Sequence, residues 1–273
     1  MNPNDVAKWQ KKFKLDYHVP YALACEEAVG IRGKRVLEVG GSLPEGFVLG
    51  ALGAKAWLAL EETDYYAAAA FAEPRLAGAK ALAKVARGDG YRIARGRIED
   101  LPPKFFGQFD LVFSIAAFEH LLRLPQALVS MHQALRPGGK LFAIFSPVWS
   151  SVAGHHLHGV KDKQGRVFDF RSSPIPPWGH LLMTPPALHR HLLAHTDPDT
   201  AAEIVYHVYH APSINRLFTE DYVDHFGQSP FKVESLEGVF PAAVPPATLA
   251  ELKRLHPGRG HFANTGIKAI LAK

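Results

Sequence analysis

Short apolar runs alternate with helical patterns along residues 33–146. Such runs are typical of strands buried on both faces, and we predict them at 35–40, 55–60, 91–95, 109–114 and 140–145. Segments with helical patterning separate several of these runs, at 44–52, 65–86 and 126–135. The alternation indicates βαβ units, and therefore a mostly parallel sheet with helices on both faces.

The pattern changes on both sides of this core. Residues 3–30 place Trp9, Phe13 and Tyr17 on one face of a predicted helical segment. Residues 147–230 are rich in proline, histidine and aromatic side chains, with short helices predicted at 186–195 and 198–210. Two further strands are predicted at 231–237 and 266–272. We predict a single domain with four parts, namely helices (1–32), core (33–146), insertion (147–230) and terminal strand pair (231–273).

The first predicted strand ends in a run of small residues. Val36-Leu37-Glu38-Val39 is followed by Gly40-Gly41-Ser42, and Pro44-Glu45 then suits the start of a helix. Small residues let a ligand approach the backbone, as in the nucleotide sites of open α/β sheets. The dinucleotide fingerprint G-x-G-x-x-G is absent, since Ser42 and Glu45 stand where it requires glycine. A plain βα turn is the alternative for this segment taken alone.

Composition narrows the class of protein. The chain has 273 residues, a formal net charge of +5 and no run of five or more like charges, which disfavours a nucleic-acid partner. The single cysteine, Cys25, fits a reducing compartment. No apolar stretch approaches the about 20 residues that cross a bilayer, and residues 1–14 do not resemble a secretory signal. We therefore expect a cytoplasmic protein with no membrane partner.

Five segments, in order and on the predicted elements, carry a family resemblance. They are Val36-Leu37-Glu38-Val39-Gly40-Gly41, Glu99-Asp100-Leu101-Pro102, Phe109-Asp110-Leu111-Val112-Phe113-Ser114, Phe118-Glu119-His120-Leu121 and Ala134-Leu135-Arg136-Pro137-Gly138-Gly139. Together they resemble the class I S-adenosylmethionine-dependent methyltransferases, especially the branch that acts on small molecules. The resemblance implies a Rossmann-like sheet of seven strands with one reversed edge strand. It also implies S-adenosylmethionine at the carboxyl ends of the strands. Residues 147–230 lie outside the resemblance, and we predict that they form a substrate cap inserted after strand five.

The resemblance assigns cofactor contacts to the turn after the first strand. Glu38 is expected to face the amino-acid end of S-adenosylmethionine, and Gly40 and Gly41 to let the backbone pass beneath it. Ser42 stands where the family usually has a second glycine.

Further cofactor contacts are expected at the ends of the second and fourth strands. Glu61, or alternatively Glu62, is expected to bind both ribose hydroxyls, because a carboxylate accepts two hydrogen bonds. Ser114 ends the fourth strand, where the family's backbone carbonyls receive the methionine ammonium.

The adenine site departs from the family. Arg97 stands where an acidic residue is common. Ile98 is expected to pack on the adenine ring, with Glu99 or Asp100 as the acceptor for its amino group.

Histidines are the candidate catalytic residues. His120 follows the fourth strand, and His155 and His156 belong to a cluster that ends at His158 after the fifth strand. An imidazole titrates near neutral pH and suits removal of an acceptor proton. The alternatives are a helix-capping role for His120 and a solvated loop for the cluster. No carboxylate spacing marks a metal site, so no metal is expected.

These features predict an S-adenosylmethionine-dependent methyltransferase with a small-molecule acceptor. Oxygen is the expected methylated atom, followed by carbon or nitrogen. The Asn/Asp-Pro-Pro-aromatic motif of some enzymes that methylate amino nitrogens is absent at Ser114-Ile115-Ala116-Ala117. A non-catalytic methyltransferase-like binding protein and a nicotinamide-dependent oxidoreductase are the alternatives. The sequence leaves the oligomeric state open.

Overall fold

The computed structural model describes residues 3–62 and 79–273. The N-terminal segment forms two helices, α1 (Pro3–Phe13) and α2 (His18–Ala28), rather than the one helical segment predicted. Trp9 and Phe13 both pack on Phe47, which confirms that they share an apolar face. Tyr17 lies in the break between the two helices.

The strands match the predicted positions closely. In chain order they are β1 (Arg35–Val39), β2 (Ala56–Glu61), β3 (Lys80–Ala81), β4 (Gly90–Arg95), β5 (Phe109–Ile115), β6 (Leu135–Phe145), β7 (Val160–Lys161), β8 (Val167–Phe168), β9 (Lys232–Pro241) and β10 (Asn264–Ala272). Eight of those described form one sheet, in the order β3-β4-β2-β1-β5-β6-β10-β9. β7 and β8 pair separately within residues 147–230.

The sheet is mostly parallel, as predicted. β10 runs antiparallel to both β6 and β9, so the reversed strand lies one position in from the edge rather than at it. The main sheet has eight described strands, one more than the predicted seven, because Lys80–Ala81 adds a two-residue strand beside β4. This pairing satisfies the main-chain groups that the edge of β4 would otherwise expose.

The remaining helices flank the sheet and build the insertion. They are α3 (Leu124–Ala134), α4 (Gly179–Leu182), α5 (Pro185–Leu192), α6 (Pro198–Tyr209), α7 (Thr219–Gln228) and α8 (Pro246–Leu255). The helix predicted at 44–52 is a π-helical turn, Gly46–Ala51. Most of the helix predicted at 65–86 lies outside the described residues. Its described end holds β3 and a 3₁₀ turn, Leu82–Lys84, so the helix prediction is wrong there.

Two apolar clusters cover the two faces of the sheet. On β1, Val36 packs toward α1 and α2, whereas Leu37 packs toward α3 and α7, as the alternation of side chains along a strand requires. Two smaller clusters lie largely in residues 147–262, one of them formed mainly by α5, α6 and the β7–β8 pair. The insertion therefore has apolar packing of its own.

Across residues 3–62 and 79–273, every helix is too short or too polar to cross a membrane.

Candidate functional site

A cavity of about 280 Å³ lies at the carboxyl ends of β1, β2, β4 and β5. Ligands of open α/β sheets bind at this edge, so the cavity is the candidate cofactor site. Its lining residues come from the segments that follow these strands and from the insertion: Gly40, Glu61, Glu62, Arg97, Glu99, Ala116, Ala117, His120, Leu121, Leu122, Arg123 and Pro212. The predicted positions Gly40, Glu61, Glu99 and His120 are therefore brought together.

The turn after β1 requires glycine for two reasons. Gly40 has a φ of +80°, which is the left-handed region that L side chains rarely adopt. A Cβ at Gly40 would also collide with the Cβ of Ala117. At Gly41, a Cβ would lie 2.6 Å from Oε1 of Glu38. The bare backbone of Gly40 thus forms part of the cavity wall, which a larger side chain would displace.

Glu38 supports this turn from beneath and does not line the cavity. Its side chain is buried, with 1% of its surface exposed. The backbone amide of Leu43 donates to both carboxylate oxygens at 3.2 and 3.1 Å, and Nε1 of Trp57 donates to Oε2 at 2.6 Å. These two donors hold the carboxylate beneath the turn, and its contact with the amino-acid end of the cofactor stays a prediction.

The end of β2 presents two carboxylates to the cavity. Glu61 is the last residue of the strand and is buried, with 7% of its surface exposed. Glu62 forms an ion pair with Arg97, whose Nε lies 2.6 Å from Oε1. The arginine that replaces the usual adenine-site acid therefore has an acidic partner inside the cavity. Glu61 and Glu62 both line the cavity, so the structure places both candidates for the ribose contact at the predicted edge.

Glu99 is the acidic residue nearest the expected adenine site. Oε1 lies 3.6 Å from Nε of Arg123, and only 4% of the side chain is exposed. Oε2 is buried and has no hydrogen-bond partner among the described residues. Asp100 is exposed, and Ile98 lies in the core rather than on the cavity wall, because it packs with the α3 face of the sheet. Glu99 lines the cavity and Asp100 does not, so Glu99 is the better placed of the two predicted acceptors.

The two predicted serines have no side chain on the cavity wall. Oγ of Ser114 donates to the carbonyl of Val39 at 2.9 Å and links β5 to the end of β1. Ser42 is buried in the turn, with 8% of its surface exposed. Both residues shape the floor of the site through the backbone.

Three of the candidate histidines converge beside the cavity. The ring centroids of His120 and His156 lie 4.8 Å apart, and those of His156 and His158 lie 4.7 Å apart. Burial lowers the pKa of His120 to about 4 and that of His156 well below its ordinary value, so both imidazoles are neutral at pH 7.

His155 is directed away from this group. Its ring centroid lies 5.8 Å from that of His180, a histidine that sequence reasoning did not select. Nδ1 of His155 accepts from the backbone amide of Leu157 at 3.2 Å. Its neighbour along the chain, His156, has a φ of +50°, which turns successive side chains in different directions. A catalytic contact by His155 in this cavity is therefore not supported.

Glu119 is a second residue that sequence reasoning missed. It is buried beside the end of β6, with 3% of its surface exposed, and burial raises the pKa of its carboxyl to about 8. The backbone amide of Ser146 bonds the carboxyl, and the charge of Glu119 would also raise the pKa of Tyr17 and Tyr222. The one signal in the sequence is an acidic residue between Phe118 and His120 at the end of an apolar run.

Replacing Glu119 with glutamine is expected to stabilise the protein at alkaline pH. The folded-state pKa lies above the unfolded value, so wild-type stability is lost as the pH rises from about 4.5 through about 8. Glutamine does not ionise, and the gain should reach a few kcal/mol above pH 8. Urea unfolding at a series of pH values measures it. Glu234→Gln, on exposed β9, is the control, and identical pH profiles for Glu119→Gln and wild type would contradict the assignment.

Comparison with known proteins gives one family match and several similar solved structures. Residues 50–143, from the π-helical turn into β6, match the family described as "Methyltransferase domain". A solved S-adenosylmethionine-dependent methyltransferase from Mesorhizobium loti is 17% identical, with 96% of this chain and 100% of that chain covered and a TM-score of 0.49. One from Thermotoga maritima is 15% identical, with 99% and 95% covered and a TM-score of 0.45. No curated protein matches the sequence.

The matched segment contains β2, β4 and β5, whose carboxyl ends carry most of the cavity wall. The described sheet is mostly parallel with one reversed strand, as the resemblance implied, although that strand lies between β6 and β9 rather than at the edge. The family match assigns residues 50–143 to a methyltransferase domain, and S-adenosylmethionine is the methyl donor that the resemblance implies.

Proposed function

We propose that this enzyme methylates an oxygen atom of a small-molecule acceptor. The observation that supports this most directly is the position of His120, a neutral imidazole on the wall of the cavity at the carboxyl edge of the sheet. Methylation of carbon or nitrogen is the alternative, since a neutral amine does not require a base in the same way.

The cavity fits the cofactor in two respects. Gly40 lines the cavity at the turn after β1 and packs directly against Ala117, so the backbone itself forms this part of the wall. The buried Oε2 of Glu99 lacks a partner among the described residues, and an adenine amino group would supply one. When bound, S-adenosylmethionine provides a methyl group on a sulfonium. Glu61 is proposed to accept hydrogen bonds from the ribose hydroxyls, and Glu38 and Gly41 to hold the turn in position.

The surroundings of the cavity favour a small acceptor. Leu121, Leu122, Arg123 and Pro212 also line the cavity, and Pro212 belongs to the insertion. Small-molecule sites are usually concave and mostly apolar, as this wall is. Basic residues are spread along the chain rather than clustered, so no nucleic acid or membrane partner is proposed. The buried free thiol of Cys25 fits a cytoplasmic location.

A hydroxyl acceptor must lose its proton as the new O–C bond forms. His120 is placed to take part in this step because its ring faces the cavity, and His156 lies directly behind it. His155 has no such position, as its ring lies against His180. The oxygen's electron pair forms the bond to the methyl carbon, while the C–S bond breaks and its electron pair stays on sulfur.

Glu61→Gln is expected to weaken S-adenosylmethionine binding by about 10- to 100-fold, because hydrogen bonds to a charged acceptor contribute about 1.5–3 kcal/mol each. Thermal unfolding measures the effect. A ligand at about 100 times its Kd stabilises by about 2.7 kcal/mol and should raise the wild-type Tm by several degrees. NADPH is the ligand control and Glu234→Gln the protein control. An equal Tm rise in Glu61→Gln and wild type would exclude the ribose role.

The acceptor atom is tested by product analysis. Phenols, aliphatic alcohols and amines are incubated with the enzyme and S-adenosylmethionine, and the methylated atom is identified by NMR. Methyl ethers support the proposal, whereas products methylated only on nitrogen or carbon overturn it. A Tm rise with S-adenosylmethionine and no product from any class would favour a binding protein instead.

A further inference from the structure

We propose that His120, His156 and His158 together bind one divalent transition metal ion, and that zinc is the ion their chemistry favours. The ion would hold the acceptor oxygen beside the cavity. The metal site stands on its own geometry, whereas its part in catalysis rests on the proposed function.

The fold brings together three ligands that are separated in the sequence. His120 follows β5, while His156 and His158 follow β6 and belong to the insertion. Their candidate ligand nitrogens all lie within 4.8 Å of one another. Bonds of about 2.0–2.1 Å in a tetrahedral zinc site place the nitrogens about 3.3 Å apart. Small side-chain movements would therefore close the site, although the sequence alone predicted no metal.

The environment of His120 already orients its ring as a ligand. Nδ1 lies 2.6 Å from the backbone carbonyl of Ser213. A carbonyl can only accept a hydrogen bond, so Nδ1 carries the proton and Nε2 offers a lone pair. Metal-binding histidines usually donate their second N–H to a carbonyl or carboxylate in this way. The hydrogen bond from His120 to Ser213 supplies this outer contact.

His156 gives two independent observations that point to a ligand. The residue is buried, with 8% of its surface exposed, and its Nδ1 has no hydrogen-bond partner among the described residues. Buried polar atoms in native proteins are almost always satisfied, and a bound ion is one means of satisfying them. The φ of +50° is uncommon for a non-glycine residue and is often found at functional sites.

The donor set selects the kind of ion. Three imidazoles without a carboxylate suit zinc and similar transition metals, whereas magnesium and calcium prefer oxygen ligands. Three protein ligands also leave a fourth position open, as in catalytic zinc sites. His120 lines the cavity, so this position is accessible to an acceptor hydroxyl. With the ion bound, His120 would act as a metal ligand in place of the base role proposed above. The bound hydroxyl would release its proton to solvent, and the oxygen would keep the electron pair that attacks the methyl carbon.

Calorimetric titration of the full chain with Zn²⁺, after treatment with a chelator and without S-adenosylmethionine, tests the site. We expect one ion per chain and at least a tenfold loss of affinity in His120→Gln and His158→Gln. His158 is partly exposed, so its replacement is expected to leave the folding unaffected. His195→Gln is the control, since His195 is exposed and lies outside the cluster. Co²⁺ absorption in the visible range reports whether nitrogen ligands bind in tetrahedral geometry.

Two outcomes would overturn the metal site: no stoichiometric binding by wild type, or equal binding by wild type and His158→Gln. Methyl transfer is measured separately, with and without Zn²⁺. Zinc binding that depends on His158, without methyl transfer to any acceptor, would keep the site and reject the proposed function. Methyl transfer by a protein that binds no zinc would reject the metal site and keep the proposed function.

Discussion

Replacing Glu38 with alanine is expected to lower the free energy of unfolding by about 3–5 kcal/mol, the cost typical of breaking a buried charged contact. The substitution removes the acceptor for the indole of Trp57 and for the backbone amide of Leu43. Both residues are almost fully buried, so water does not replace the lost acceptor. Each unsatisfied buried donor costs about 1–3 kcal/mol. S-adenosylmethionine binding should weaken as well, because the turn that contains Gly40 and Gly41 loses its support.

Urea unfolding of four variants, each compared with wild type, separates the contributions of the hydrogen bonds from Trp57 and from Leu43 to Glu38. Glu38→Gln keeps one carbonyl acceptor and should lose less stability than Glu38→Ala. Trp57→Phe removes only the indole donor, and the double variant Glu38→Ala with Trp57→Phe measures the coupling between the side chains. A loss in Glu38→Ala below about 1 kcal/mol, which is typical of surface substitutions, would contradict the buried role of this carboxylate.

Acidification from about pH 6.5 to about pH 4 is expected to destabilise the protein steeply. Burial lowers the pKa of His155 to about 4 and that of His180 to about 3, and the pKa values of His120 and His156 are lowered as well. The unfolded chain takes up these protons from about pH 6.5 downward, whereas the folded chain does not. Each such histidine contributes a slope of about 1.4 kcal/mol per pH unit in this window.

His180→Gln tests this pH dependence most directly. Nε2 of His180 lies 2.8 Å from the carbonyl of Trp149, and a glutamine amide can donate to the same carbonyl. The slope between pH 4 and pH 6 should fall by about 1.4 kcal/mol per pH unit relative to wild type. Urea unfolding measures this slope, and a chelator is present so that metal release does not contribute to it. His195→Gln, at an exposed position, is the control, and equal slopes in His180→Gln and wild type would refute the explanation.

The sheet was predictable because its strands are buried on both faces. β1, β2 and β5 are almost entirely buried and mostly apolar, and such runs show in the sequence without knowledge of their neighbours. The two-residue β3 was missed, since its lysine and alanine carry no strand signal and pair only because the edge of β4 is available. The break between α1 and α2 was also missed, because the apolar spacing of Trp9 and Phe13 continues to Tyr17.

The sequence by itself determined which edge of the sheet carries the site, because small and acidic residues follow β1 and β2 directly. It could not determine the direction of each side chain. Glu38 lies beneath the turn because Trp57, from the neighbouring strand, offers it a donor. His120 meets His156 but not His155, because the backbone turns sharply at His156. These contacts join residues distant in sequence and depend on how strands and insertion pack, so only the tertiary structure decided them.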